Sequence, residues 1–159
     1  MIFVAVGTRK FQLNRLLSEI DTLVEKGLIK DKVFAQTGYS DYMPKNYDYI
    51  DFMPKPEFDN YIHNCDLLIT HGGVGIILTA LKNEKPTIVF PRLSKYGEHV
   101  DDHQLEITEA FVELNYVLQC LDKADLYNII SQSETHIFNK YISQRKNVVL
   151  VIKEFVDKL

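Results

Sequence analysis

This 159-residue sequence has few cysteines, no net positive charge and no long apolar run, and each of these features excludes a class of protein. The two cysteines, Cys65 and Cys120, are too few and too scattered for a disulfide framework, so we expect reduced thiols in the cytoplasm. No run of about 18 apolar residues occurs, so no membrane-spanning helix is expected. The formal net charge of −4 shows no basic excess, which argues against nucleic-acid binding.

The first seven residues, MIFVAVG, have no basic start and no small-residue cleavage site. They predict a buried first strand rather than a secretory signal. Hydrophobic residues make up 46% of the chain, which is ordinary for a globular protein with a core. The length suits one domain, and we expect it to span residues 1–159.

Apolar runs of strand length alternate with segments of helical periodicity. Strands are expected at residues 2–6, 32–37, 47–52, 66–70, 86–90 and 116–121. Helical patterns separate them, one of them from about 99 to 114, and two more follow the last strand, the final one with an apolar stripe over 148–159. This alternation predicts an α/β fold, a Rossmann-like doubly wound parallel sheet of about six strands.

The stretch LLITHGGVGIILTAL, residues 67–81, runs a predicted strand directly into a helix through a glycine-rich corner. Ligands of open parallel sheets bind beyond the carboxyl ends of the strands. The first N–H groups of a helix that starts near Val74 would point into that space, where they and the helix dipole favour phosphate. Gly72, Gly73 and Gly75 carry no Cβ to hold a phosphate away, but a merely tight turn explains them equally well. His71 alone is more typical of packing than of function.

Two nucleotide-binding motifs are excluded at this corner. A dinucleotide fingerprint would need a third glycine where Leu78 stands and an acidic residue after the next strand, which ends in Pro91-Arg92. No G-K-[ST] sequence occurs, so the corner is not a P-loop.

A second polar stretch, FPRLSKYGEHVDDHQLEITEAF at residues 90–111, follows the next strand. Glu98, Asp102 and Gln104 can accept hydrogen bonds from sugar hydroxyls, and Arg92 and Lys95 can neutralise phosphate. A solvated helix start is the plainer interpretation of the acidic residues, because carboxylates suit a helix N-terminus.

A metal site is the third interpretation of the same stretch. His99 and His103 have the i, i+4 spacing of a zinc-binding helix, and His63 or Glu98 would have to supply a third ligand.

Taken together, THGGVGIILTALKNEKPTIVFPR and KYGEHVDDHQLEITEAF resemble the C-terminal, donor-binding half of GT-B glycosyltransferases, the glycosyltransferase family 28 C-terminal domain. The resemblance covers nearly the whole chain. It is closest to the short catalytic subunits of split enzymes: the soluble subunit of the eukaryotic dolichol-linked N-acetylglucosamine transferase, and bacterial subunits of capsular and exopolysaccharide β-1,4-glycosyltransferases. The implied fold is one half of a GT-B enzyme.

The resemblance implies that the glycine corner holds the diphosphate of a UDP-sugar and that the second stretch faces the sugar and phosphate. Thr79 occupies the position of a ribose-binding glutamate in the related peptidoglycan N-acetylglucosaminyltransferase, and uracil would lie near Phe52 and Met53. The implied donor-binding residues are Gly7, Thr8, His71, Gly72, Gly73, Val74, Gly75, Thr79, Arg92, Glu98, His99, Asp102 and Gln104. The general base is unassigned: the candidates are His71, His99 and Glu98, or a residue of a partner. No metal or other cofactor is expected, because helix dipole and backbone donors stabilise the leaving diphosphate in this family.

One sheet domain is half of a GT-B enzyme, so the resemblance also implies a membrane-anchored partner subunit that binds a lipid-linked acceptor. The chain would then be cytoplasmic and peripheral to the inner face of the cell membrane, with no span of its own. The expected activity is inverting transfer of a hexose, with galactose in a β-1,4 linkage as the first choice, in capsular or exopolysaccharide assembly. The alternatives are a non-catalytic UDP-binding or regulatory subunit and a metalloprotein that uses His99 and His103.

Overall fold

The computed structural model describes residues 1–143, which form six strands and five helices. The strands are β1 (Ile2–Ala5), β2 (Val33–Gln36), β3 (Asp48–Ile50), β4 (Leu67–Thr70), β5 (Thr87–Val89) and β6 (Leu118–Gln119). Every neighbouring pair is parallel, in the order β3-β2-β1-β4-β5-β6. The predicted Rossmann-like doubly wound sheet of six parallel strands is therefore confirmed.

The helices alternate with the strands, as the periodicity predicts. They are α1 (Asn14–Glu25), α2 (Lys55–Asn64), α3 (Val74–Lys82), α4 (His103–Glu113) and α5 (Leu126–Ser133). Single 3-10 turns occupy Ser94–Tyr96 and Lys123–Asp125. The apolar stripe predicted over 148–159 lies outside the described residues.

Strand β1 shows how the two faces of the sheet are covered. Ile2, Val4 and Val6 belong to the apolar cluster that contains the buried residues of α1 and α5. Phe3 and Ala5 point the other way, into the cluster that includes residues of α2 and α3. Both faces of this central strand are fully buried, because helices cover a parallel sheet on both sides.

The strand order reverses between β1 and β4, which are direct neighbours. Ala5 pairs with Thr70 in register, and the Thr70 hydroxyl donates to the Ala5 carbonyl at 2.7 Å. The segments that leave these two strands, which begin at Val6 and His71, therefore lie side by side at the carboxyl edge. This reversal point is where open α/β sheets bind ligands.

The predicted helix over 99–114 is wrong at its start, because α4 begins only at His103. Gly97 adopts a left-handed conformation with φ of 67°, and Glu98 turns back so that its carboxylate accepts the Leu93 N–H at 3.0 Å. His99 therefore lies in a loop and does not share a helix face with His103. The geometric basis of the zinc-helix interpretation is absent.

Both cysteines are buried and free in the described structure. Burial raises the pKa of the Cys120 thiol to about 12, which keeps it protonated and unreactive at neutral pH. Within residues 1–143 no helix is long and apolar enough to cross a membrane.

Candidate functional site

The turn from β4 to α3 brings unpaired backbone donors to the carboxyl edge of the sheet. Helix α3 begins directly after Gly73 and has neither a side-chain cap nor an acidic residue in its first turn. Among residues 1–143, no acceptor takes the N–H groups of Val74, Gly75 or Ile76. These three donors and the positive end of the helix dipole are therefore available to an anion.

Packing explains most of the glycines at this corner. A Cβ at Gly7 would lie 2.4 Å from Nε2 of His71, and a Cβ at Gly73 would lie 2.3 Å from its Cε1. A Cβ at Gly72 would lie 2.6 Å from the Cβ of Gln104. Only Gly75 is open, with no heavy atom within 4 Å of its Cβ position. Packing therefore accounts for Gly72 and Gly73 of the motif and for Gly7 after β1, whereas Gly75 borders open space.

His71 is the side chain around which the corner is built. Its imidazole is buried, and burial, with the nearby positive charge of Arg92 as the next cause, lowers its pKa to about 3. An interaction with the Gln104 side chain raises the pKa in opposition, whereas Arg9 and His99 lower it further. Nδ1 has no hydrogen-bond partner in the described structure. His71 is therefore neutral at physiological pH, in surroundings whose positive charge would favour an anionic ligand.

Arg92 places a positive charge beneath the corner without exposing it. The residue is 1% exposed, and its guanidinium donates to the carbonyls of Val6 and, at 3.1 Å, of Phe11. Burial lowers its pKa to about 10, against an opposing effect of Glu98. Its Nε has no partner among the described residues. Arg92 is thus a buried charge held by backbone carbonyls, and its contact with phosphate stays a prediction.

Glu98, predicted to face the sugar, is fully buried in an ion pair with Arg15 of α1. Its two carboxylate oxygens accept from Nε and Nη2 of Arg15, both at 3.0 Å. The guanidinium of Arg15 lies between the rings of Phe90 and Tyr96, 4.2 and 4.4 Å from their centroids. With the Leu93 contact above, this network ties the loop after β5 to α1, and it leaves the carboxylate no exposed surface for a sugar hydroxyl.

The remaining members of the second stretch lie at the same edge of the sheet. Asp102 is exposed, and its carboxylate accepts from the N–H and hydroxyl of Ser94 at 2.8 and 2.9 Å. The imidazole of His99 packs on Phe11, with ring centroids 4.7 Å apart, and its Nδ1 lies 3.0 Å from Asp101. Gln104 is buried at the start of α4.

The other residues predicted to bind the UDP-sugar lie after β1, within α3 and after β3. Thr8 is exposed just after β1, and the Thr79 hydroxyl donates to the Gly75 carbonyl at 2.8 Å within α3. Phe52 is exposed beyond β3, in edge-to-face contact with Tyr39 at 5.1 Å, whereas Met53 is half-buried and packs against the apolar cluster that includes residues of α2 and α3. The sheet therefore brings the corner and the second stretch together, and it places the predicted uracil position two strands away from β1.

Sequence reasoning missed three side chains that shape this site. Arg15 forms an ion pair with Glu98, which is 83 residues away in the sequence. The ring of Phe11 packs against the imidazole of His99, and Arg9 adds positive charge near His71. Arg15 lies on an amphipathic helix where a charged residue is typical of a solvated face. No local pattern distinguishes it, because its partner is set by the tertiary fold.

Potential metal sites and cavities elsewhere in the described structure are the other candidate sites. No group of three or more metal-ligating side chains occurs within residues 1–143. A cavity of about 200 Å³ lies near Pro86, at the amino end of β5, and is lined in part by Tyr116 and Tyr141. None of its lining residues belongs to the predicted donor site.

The family model and the curated relatives that match this chain all describe glycosyltransferases. The model described as "Glycosyltransferase family 28 C-terminal domain" matches residues 1–158. The chain is 30% identical over 98 residues to the UDP-N-acetylglucosamine transferase subunit ALG13 of Candida albicans, an alignment that covers 62% of this chain and 32% of that protein. The subunit of the same name from Saccharomyces cerevisiae is 46% identical over 55 residues, 35% of this chain and 25% of that protein. The chain thus spans a third or less of the length of these curated relatives.

A solved structure agrees with the architecture. The NMR solution structure of ALG13 superimposes with a TM-score of 0.62 at 20% identity, covering 98% of this chain and 96% of that one. At this level of identity the likeness shows a shared fold.

Proposed function

The chain belongs to the glycosyltransferase family 28 C-terminal domain family, and we propose on this basis that it is the donor-binding, catalytic subunit of a UDP-sugar-dependent glycosyltransferase. One observation carries the proposal: the uncapped N-terminus of α3 has three free backbone donors at the point where the strand order reverses. That arrangement suits a diphosphate. The positive surroundings of His71, to which Arg92 and Arg9 contribute, support it.

The proposed reaction is an inverting displacement. The oxygen of an acceptor hydroxyl forms a bond to the anomeric carbon while the bond from that carbon to the UDP oxygen breaks. A general base takes the hydroxyl proton, and UDP leaves with the electron pair. The N–H groups of Val74, Gly75 and Ile76, with the buried charge of Arg92, stabilise the negative charge that develops on the leaving diphosphate. This step requires no metal, which remains our prediction.

The acceptor is proposed to be a lipid-linked saccharide held by a membrane-anchored partner subunit. The name "subunit" of the two curated relatives supports a partner. The chain would then act at the cytoplasmic face of the membrane through that partner.

The transferred sugar is proposed to be galactose, in a β-1,4 linkage, for capsular or exopolysaccharide assembly. This choice follows from the resemblance to bacterial β-1,4-glycosyltransferase subunits. The names of the two relatives make UDP-N-acetylglucosamine the second donor to test.

Calorimetry of the full chain with UDP and UMP tests the site. We expect UDP to bind at least about tenfold more tightly than UMP, because the second phosphate reaches the α3 donors. Equal affinities, or no UDP binding, would overturn the diphosphate assignment. Assays of the co-expressed complex with UDP-galactose, UDP-glucose and UDP-N-acetylglucosamine then identify the donor.

A non-catalytic UDP-binding subunit is the second candidate, and the burial of two of the three proposed bases favours it. Glu98 is ion-paired and His71 is buried and neutral, which leaves His99 or a partner residue as the base. If His99→Ala leaves the turnover of the complex unchanged, the base belongs to the partner. A complex that turns over normally even after UDP binding to this chain is abolished would support the non-catalytic role.

A further inference from the structure

The side chain of Gln104 joins the two halves of the candidate site. Its Oε1 accepts the N–H of Gly72 at 3.1 Å and the N–H of Arg92 at 3.1 Å. Gly72 follows β4 and Arg92 follows β5, while Gln104 itself is the second residue of α4. One oxygen therefore holds together the ends of two neighbouring strands and the start of a helix.

A side-chain carbonyl has two lone pairs, and these two contacts can occupy both of them. The Gln104 side chain also interacts with His71, at the same corner. The Gly72 N–H is buried in this contact, so it is not one of the donors open to an anion. Gly72 lies two residues before α3, and its missing Cβ lets the backbone of α4 approach closely, since a Cβ there would lie 2.8 Å from the Gln104 carbonyl oxygen. The direction in which α3 leaves the turn is thereby fixed from the side of α4.

We propose that Gln104 is a positioning residue for the donor site, which acts through Gly72 on the free N–H groups of α3 rather than by touching the donor. This inference rests on the proposed function, because it concerns the same diphosphate site. Its chemical requirement is an oxygen acceptor at the end of the side chain.

The competing role is a direct contact between the Gln104 side-chain amide and a sugar hydroxyl. That role depends on the NH2 group rather than on the oxygen. A contact through the side-chain NH2 requires a donor, which a carboxylate lacks. Glutamate keeps the oxygen and the length of the side chain but loses the NH2 group, whereas methionine keeps the length and apolar volume but loses the oxygen. Gln104→Glu and Gln104→Met therefore separate the two roles.

The matched control is Thr108→Val, one turn further along α4. The Thr108 hydroxyl is buried and donates to the backbone carbonyl of Gln104 at 2.7 Å, so its removal weakens α4 without touching Gly72 or Arg92. Any loss caused by general weakening of this helix appears in this variant too.

The experiment measures two quantities on the full chain and its three variants: the affinity for UDP by calorimetry, and the hydrogen-exchange protection of the Gly72 and Arg92 amides by NMR. We expect Gln104→Met to lose protection at both amides and to bind UDP about tenfold or more weakly, because two buried donors lose their acceptor. Gln104→Glu is expected to keep the protection of both amides. Because its carboxylate adds negative charge near the anion site, it should bind UDP more weakly than wild type but clearly more tightly than Gln104→Met. Thr108→Val should match wild type in both readouts.

Three outcomes would overturn the inference. One is normal UDP affinity in a folded Gln104→Met chain that has lost both protected amides. Another is a Gln104→Glu chain that keeps the amides protected but loses UDP binding as fully as Gln104→Met, which would assign a ligand contact to the NH2 group. The third is a loss of UDP affinity in Thr108→Val equal to that in Gln104→Met. Failure of wild type itself to bind UDP would instead overturn the proposed function, and this role with it.

Discussion

The glycine corner, residues 70–75, and the loop after β5, residues 91–102, lie at the same edge of the sheet but are built differently. The corner is shaped by the absence of side chains: Gly7 and Gly73 leave room for His71, and the backbone supplies the donors. The loop is held by buried charge, with Glu98 paired to Arg15 and Arg92 bound to backbone carbonyls. Gln104 connects the two regions.

This difference separates the functions that each region can perform. Backbone donors at a helix start need no reorganisation to bind an anion, so the corner is suited to the proposed diphosphate. A buried ion pair costs desolvation and is weak evidence for stability, but it fixes geometry once formed. The loop is therefore a support that places Asp102 and His99 beside the corner. The two regions should also respond differently to mutation.

The largest expected effect on stability belongs to the loop. Glu98→Gln removes one charge of the buried pair and leaves Arg15 unpaired, so we expect the free energy of unfolding to fall by about 3 kcal/mol or more. Urea denaturation measures this. The control is Asp59→Asn, which removes an exposed ion pair with Lys55 on α2 and should cost less than about 0.5 kcal/mol. Equal small losses in the two variants would contradict the distinction between the regions.

A smaller loss is expected at the packed side of the corner. Gly73→Ala places a methyl group 2.3 Å from Cε1 of His71, so the imidazole or the turn must shift. We expect a loss of about 1–3 kcal/mol in denaturation and loss of measurable UDP binding, because the α3 donors move with the turn. An alanine variant with wild-type stability and affinity would show that His71 yields freely. Gly73→Asp should be more severe, because it adds a carboxylate at the proposed phosphate position.

The next prediction concerns how the free energy of unfolding depends on pH through the protonation of His71. Its pKa is lowered from 6.5 to about 3 by burial and by Arg92, so the unfolded chain binds more protons than the folded chain between these values. Stability should therefore fall as the pH falls from 6.5, by up to about 1.4 kcal/mol per pH unit.

The measurement compares the slope of unfolding free energy between pH 6.5 and 4.5 in wild type and in His71→Asn. We expect a shallower slope in the variant, whatever its absolute stability. Asp21 and Asp102 have lowered pKa values and so lose their contribution mainly at lower pH. Identical slopes would show that His71 becomes protonated without cost, and thus that the corner opens in acid.

The smallest effect on stability is expected at the open side of the corner, and its sign is reversed. Gly75→Ala places a methyl group in free space on a helix, so the chain should be as stable as wild type or more stable by up to about 0.5–1 kcal/mol. The same methyl group narrows the approach to the α3 donors, and we expect weaker UDP binding. Comparing the UDP affinities of Gly75→Ala and Gly73→Ala by calorimetry separates a loss caused by disturbed packing from a loss caused by a blocked approach to the α3 donors. An unchanged UDP affinity in Gly75→Ala would place the diphosphate elsewhere.

The strand runs and the THGG corner were readable because they depend on local pattern. Apolar runs bounded by glycine and proline predicted all six strands to within two residues at each end. The largest differences are at the edge strands β3 and β6, where pairing on one side only ends the ladder early. The start of α4 was misplaced by a turn, because the left-handed Gly97 and the inward course of Glu98 depend on Arg15 in a distant helix.

The order of apolar and polar residues along this chain was enough to specify parallel strands, covering helices and a glycine-rich strand-to-helix turn, since periodicity and backbone freedom are properties of short segments. The roles of the polar side chains were settled by the assembled fold. His71 became a buried neutral group, Glu98 the partner of Arg15, and Gln104 a bridge between two strands. Burial and charge partners are properties of neighbours in space, and those neighbours lie up to 83 residues apart in the chain.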